Sequence, residues 1–155
     1  MKIYVTYDKT TKEGYEVMTP NGVFSLKEDS VDEIETNVLE KVPNLVTFIQ
    51  ECYRVLKTGS VMKVTAPYFM SSLAWASPLT VRGVSELTLN FASKEWRKQN
   101  NYSEFDIKCD FEVVGNFTVE STYMQRSDVT RGFWMKHYNN VVQAILFTLT
   151  KKAPE

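Results

Sequence analysis

The sequence predicts an α/β protein of three layers around a mixed sheet, parallel at its centre and antiparallel toward the carboxyl terminus. Three observations predict it. The apolar residues Leu45, Phe48, Ile49, Cys52, Val55 and Leu56 recur at helical spacing, with Pro43 at the entry and Gly59 at the exit. Short apolar runs at 31–36 and 61–67 flank that stripe, which makes one βαβ crossover with its two strands parallel and adjacent. The last third of the chain then alternates, in "FDIKCDFEVVGNFTVEST" and again over 141–150, as antiparallel strands do.

The elements follow in order. Residues 3–7 alternate apolar and polar, break at KTTKEG and resume at 15–18, which gives two short strands joined by a polar turn. Pro20-Asn21-Gly22 then turns the chain into 23–26, completing a small antiparallel meander. After the βαβ unit, residues 68–83 are irregular, aromatic and rich in Ser, and they leave the carboxyl end of a parallel strand, where open α/β sheets place their ligands. Ser85 is a candidate cap for a helix through Phe91, and Ser93 for a turn carrying Trp96. Gly115-Asn116 reads as a two-residue hairpin turn. A polar helical stretch covers 128–138 before the last strand.

Bulk properties bound the function. A chain of 155 residues forms one domain, 1–155, around one core. Its 43% hydrophobic, 13% aromatic and 24% charged residues are those of a folded protein. Eighteen basic against nineteen acidic side chains, with no basic run, lack the electrostatic footprint of a nucleic-acid or anionic-membrane partner. The opening MKIYVTYDK is strand-like and not a leader, and no later segment approaches the ~18 apolar residues of a membrane span, so the expected location is cytoplasmic. Cys52 and Cys109 are expected as buried free thiols. His137, the one histidine, allows no two-histidine metal site and is expected on the surface or in packing. The acidic residues Glu28, Asp29, Asp32, Glu33 and Glu35 lack the spacing of a cation loop and read as a solvated edge.

The stretch "SVDEIETNVLEKVPNLVTFIQECYRVLKTGSVMKVTAP", residues 30–67, resembles the middle of the class I S-adenosylmethionine-dependent methyltransferases. That family writes S-x-D-x-I-x-S-x-H-V-L-E-H, a helix, then R-V-L-K-P-G-G and an apolar strand. "APYFMSSLAWASPLTVRGVSELTLNFAS" and "KHYNNVVQAILFTL" are similar to later family segments. The resemblance implies a reduced Rossmann-like sheet ending in an antiparallel hairpin. The departures concern chemistry. The six glycines stand at 14, 22, 59, 83, 115 and 132, too far apart for the family's glycine-rich cofactor turn. Asn37 and Lys41 replace the two histidines, and Ser77 and Thr80 replace an Asp and His pair, leaving hydroxyls that do not titrate near neutral pH.

The resemblance places a central strand beside 31–36, and residues 3–7 are the candidate to fill that slot, with Asp8 at the end where the family keeps an acidic ribose ligand. Asp8, Asn37 and Tyr68 are therefore the candidate cofactor-side residues, against readings in which Asp8 is a solvated turn residue and Tyr68 covers the core. Trp75, Arg82 and Trp134 are the candidate substrate-side residues. The competing reading of Arg82 is an internal pair with an acid such as Glu86. No catalytic residue and no metal ligand is assigned. The expectation is a methyltransferase-like binding or assembly module that does not by itself hold S-adenosylmethionine tightly, with a second copy or another protein as partner. The alternative is an active methyltransferase whose cofactor site is completed by such a partner, since transfer to a nucleophilic acceptor rests chiefly on alignment.

Overall fold

The computed structural model describes residues 1–8, 10–21, 24–102 and 106–153. Six strands, β1 (Lys2–Val5), β2 (Glu16–Met18), β3 (Val31–Thr36), β4 (Leu56–Pro67), β5 (Phe111–Val119) and β6 (Val142–Lys151), form one sheet in the order β2-β1-β3-β4-β6-β5. The helices are α1 (Leu45–Val55), α2 (Lys94–Gln99), α3 (Ser121–Met124) and α4 (Asp128–His137). The first four strands are parallel, while β6 runs antiparallel to β4 and β5 antiparallel to β6. This is the mixed α/β sheet expected.

The slot beside β3 is filled by β1, with Ile3 opposite Ile34 and Val5 opposite Thr36. The expected antiparallel meander is absent. β2 runs parallel to β1, and the Thr6 N–H donates to the Met18 carbonyl at 2.9 Å. The segment between the two strands is no tight hairpin turn; it crosses over the sheet and returns. Residues 24–26 form no strand, with a bend at 25–26 where one was expected, and position 23 lies outside the described residues. The cause is α1. Its Glu51 carboxylate accepts the Phe24 N–H at 2.8 Å, and its Arg54 donates to the carbonyls of Phe24 and Leu26 at 3.1 and 3.0 Å. Side chains thus take the backbone groups that a neighbouring strand would have taken.

α1 starts where the stripe begins, capped by Asn44, whose side chain accepts from the Thr47 N–H at 3.0 Å. It ends earlier than the stripe. Leu56 already belongs to β4 and pairs with Val31, so Gly59 lies inside the strand and does not close the helix. There the register jumps from Val31 opposite Leu56 to Glu33 opposite Val61, and Gly59 takes φ +80° in the bulge. Helical spacing and strand alternation agree at Leu56, and only pairing decides between them. Ser93 caps α2 as expected, accepting from the Trp96 N–H at 3.3 Å. Ser85 closes a turn instead of a helix, and a 3₁₀ turn follows at Asn90–Ala92.

No hairpin turn occurs at Gly115-Asn116. β5 runs straight through it, with Gly115 opposite Phe147 of β6. A Cβ at Gly115 would lie 3.4 Å from the Phe147 ring, so the glycine marks close ring packing. The reversal into β6 comes later, by way of α3 and α4.

Alternation along the strands sorts the sheet into two faces. Ile3, Val5, Ile34, Met62, Val64, Ile145, Phe147 and Leu149 line one, and Phe48, Ile49, Cys52 and Val55 of α1 join them in one core. The other face carries Lys2, Tyr4, Glu33, Glu35 and Lys63. Glu33 accepts from Lys2 at 2.7 Å and from Lys63 at 2.5 Å. Lys12 reaches Glu35 and sits over the Tyr4 and Tyr15 rings at 5.5 and 4.9 Å, so the 6–15 segment supplies the cover there. Cys52 and Cys109 are buried free thiols; burial pushes Cys52 well up and Cys109 up to about 11, which keeps both protonated and unreactive. No helix among the described residues is long and apolar enough to cross a membrane.

Two outcomes are expected. Gly59→Ala meets no neighbouring atom, so its cost is the left-handed backbone alone, roughly 1–2 kcal/mol in urea unfolding. Bonds from Lys2 first, and then Lys63, lower Glu33 from 4.5 to about 2. A carboxylate lowered in the folded state stabilises above its unfolded pKa, and that contribution disappears as pH falls through the folded value. Thermal melts of Glu33→Gln will therefore show a flatter loss of stability than the parent between pH 4.5 and about 2.

Candidate functional site

The carboxyl ends of β1 and β3 lie side by side, and they bring Asp8 and Asn37 to one place. Tyr4 is the residue between them. Its ring is buried on the charged face, where its hydroxyl feels the charges of Asp8, Glu35 and Lys12 and the Asn37 side chain. Burial raises the Tyr4 pKa first, the Asp8 and Glu35 carboxylates add to it, and Lys12 and Asn37 oppose. Sequence reading passed over Tyr4 as one more strand aromatic; its even position, out of step with Ile3 and Val5, was the available signal.

Asp8 is closed on its own turn. Its Oδ1 accepts from the Thr10 N–H at 3.1 Å and the Thr6 hydroxyl at 3.0 Å, and these bonds, those of Thr10 first, hold its pKa below the usual range. Asn37 is exposed.

Tyr68 lies elsewhere. It continues the core-facing alternation of Met62, Val64 and Ala66, is 5% exposed and joins the core. Its hydroxyl donates to Glu86 at 2.9 Å, and burial first, then Glu86, pushes its pKa up to about 12. Beside it is a cavity of about 490 Å³, walled by Phe69, Met70, Leu87, Phe117 and Met135. The Tyr68 ring packs edge-on to Phe117 at 5.4 Å and tilted to Phe69 at 4.8 Å. Phe117 escaped the sequence reading because the supposed hairpin at Gly115-Asn116 turned it away from this end of the sheet.

Trp75 and Trp134 are not among the residues lining that cavity. Trp75, in the 3₁₀ turn Ser72–Trp75, donates its indole N–H to the Phe69 carbonyl at 2.9 Å and lies over Gly83. Trp134 packs edge-on to Tyr123 at 5.3 Å under the Arg126 guanidinium, in a separate recess with Tyr138. His137 stacks on Phe133 at 4.3 Å.

Arg82 binds internally, though not to Glu86, whose carboxylate is taken by Tyr68. Its guanidinium donates to the backbone carbonyls of Leu39 at 3.1 Å, Pro43 at 3.0 Å and Val42. The Glu40 carbonyl in turn accepts from Val81 and Arg82 N–H groups, which fastens 80–82 onto the loop after β3. At this seam one Glu40 carboxylate oxygen and the Thr80 hydroxyl are buried without a hydrogen-bond partner. Among the described residues no cluster of His, Cys, Asp or Glu is placed to hold a metal ion.

Arg82→Ala leaves three carbonyls short of a donor and is expected to destabilise by about 2–3 kcal/mol in chemical denaturation. Arg82→Lys should recover less than half of that loss, because one ammonium cannot reproduce the planar fork.

No protein-family model matches the sequence, and no curated protein matches it. Solved structures do. The chain is similar to a SAM dependent methyltransferase from Archaeoglobus fulgidus at 15% identity and a TM-score of 0.58, over 89% of this chain and 68% of that one. The YcgJ protein from Bacillus subtilis aligns over 90% of this chain and 71% of its own, at 15% identity and a TM-score of 0.47. A SAM-dependent methyltransferase from Thermotoga maritima, titled a possible histamine N-methyltransferase, aligns over 90% and 65% at 19% identity and a TM-score of 0.49. Identities this low speak to fold and not to activity. On the strand order and the first of these matches, the chain has the fold of the S-adenosylmethionine-dependent methyltransferases.

Proposed function

We propose that the chain is a non-catalytic binding or assembly module built on the methyltransferase fold. One observation carries this reading: the connection that leaves β1 has no helix among its described residues and is closed on its own turn. An adenosyl cofactor is held in such folds by a glycine-rich turn that lays backbone N–H groups, at a helix N-terminus, against the ligand. Residues 6–15 contain Gly14 alone, next to β2, and no helix among the described residues. The acid at the strand end, Asp8, has its Oδ1 engaged by Thr6 and Thr10. These residues do not fit S-adenosylmethionine.

The candidates for proton transfer support the same reading. Ser77 and Thr80 stand where the resemblance implies an acid and a base, and the Thr80 hydroxyl is buried. Tyr68, at about 12, stays protonated at neutral pH and hydrogen-bonded to Glu86. What remains is a shaped apolar cavity beside Tyr68, suited to an apolar ligand or side chain.

A second reading, an active enzyme completed by another copy or another chain, is favoured by the position of Phe117, a cavity wall that stands on an outer strand of the sheet. Calorimetric titration of the full chain with S-adenosylmethionine and S-adenosylhomocysteine separates the readings. No saturable heat is expected up to about 1 mM ligand, an affinity weaker than about 4 kcal/mol. One-to-one binding in the micromolar range, weakened by Asn37→Ala, would overturn the proposal. Transfer of labelled methyl groups only in the presence of a partner chain would establish the second reading.

A further inference from the structure

The two edges of the sheet are unlike. β2, at one edge, has three residues, and short edge strands are one way proteins avoid unwanted pairing. β5, at the other, has nine. Among the described residues, no backbone group other than those of β6 hydrogen-bonds to positions 112–118. The strand FEVVGNFTV has one charged residue, no proline and no lysine, and its register with β6 stays regular as far as Thr118. Among the described residues the protections of this long edge are few: one charge at Glu112, and a register irregularity that comes only at its end. Instead Val114 is 49% exposed, Phe117 40%, and Leu146, opposite Asn116 on β6, 41%.

The strand is also complementary to itself. An antiparallel neighbour related by a two-fold axis normal to the sheet pairs residues that lie on the same face. Only the register with Gly115 opposite Gly115 of a second copy pairs all nine positions. In that register Phe117 faces Val113 on the core side, an aromatic and a β-branched residue, and it does so twice by symmetry. Val114 faces Asn116, Phe111 faces Val119, and Glu112 faces Thr118, so no like charges meet.

We propose that β5 pairs antiparallel with β5 of a second copy about Gly115, joining two sheets into one. The edge is the seam, and the two Tyr68 cavities flank it, because Phe117 belongs to both. The second copy's Val113 then backs the Phe117 wall. This inference concerns association and does not depend on whether the chain binds a cofactor.

Sedimentation equilibrium of the full chain, from about 1 to about 100 µM, tests it. A species of twice the 17.9 kDa chain mass is expected. V114K alters an exposed position outside the core, leaves the circular dichroism spectrum unchanged, and weakens the dimer by about tenfold or more through the approach of two lysines across the axis. V114K/N116E sets opposite charges directly across the seam and restores the dimer, which a general loss of fold cannot do. L79K, at an exposed apolar position off this edge, leaves association as it was. A monomer throughout the range, open-ended assembly, a dimer indifferent to V114K, or a double variant no tighter than V114K would each overturn the proposal.

Discussion

The parallel pairing of β1 with β3 is the constraint on which the rest depends. Four consecutive pairs, from Lys2 with Glu33 to Val5 with Thr36, close the middle of the sheet. Because side chains alternate, this register sets Ile3 and Val5 beside Ile34 and Met62 on the core face, and Tyr4 beside Glu35 and Lys63 on the other. A slip of one residue would turn the charges into the core. It would also part Asp8 from Asn37, since both lie just beyond the ends of the paired strands. Core and strand-end site are thus two results of one register.

Outside the sheet, long irregular stretches are held by arginines that donate to backbone carbonyls. Arg54 of α1 holds Phe24 and Leu26, Arg82 holds the loop after β3, and Arg97 of α2 donates to Phe91 at 2.6 Å, Cys109 at 3.0 Å and Ile107 at 3.2 Å. A guanidinium carries several donors in a rigid plane, so one side chain can satisfy carbonyls from segments that have no ladder of their own. The same use removes Arg82 from the set available to a bound anion. Polar chemistry here serves the fold, and burial draws the pKa of Arg82 down, with Tyr7 opposing.

Much of the central architecture could be read from the residues. The stripe from Leu45 to Val55, the strand after it and the alternation of β6 each came from local periodicity, which burial enforces whatever lies nearby. The placement of β1 beside β3 came from the resemblance, because no periodicity states which strand is whose neighbour. The misreadings share a cause. Gly59, Gly115 and the 23–26 run carry local signals of a helix end, a hairpin and a strand. In each case a distant partner, Val31, Phe147 or the Glu51 and Arg54 pair, supplied a better use for the same backbone.

Of the candidate site, Asp8 and Asn37 were legible as a pair because both end strands that were correctly located, while Tyr4 between them and Phe117 beside Tyr68 were not. By itself the sequence determined what each segment can become: which residues are apolar, at what period, and where the glycines stand. Tertiary structure alone decided direction, register and company. It made β2 parallel, put Leu56 in a strand, gave Arg82 to backbone carbonyls and left β5 at an edge. The physical reason is that periodicity is set by residues a few positions apart, whereas pairing energy depends on groups brought together from 13 to 122 positions away.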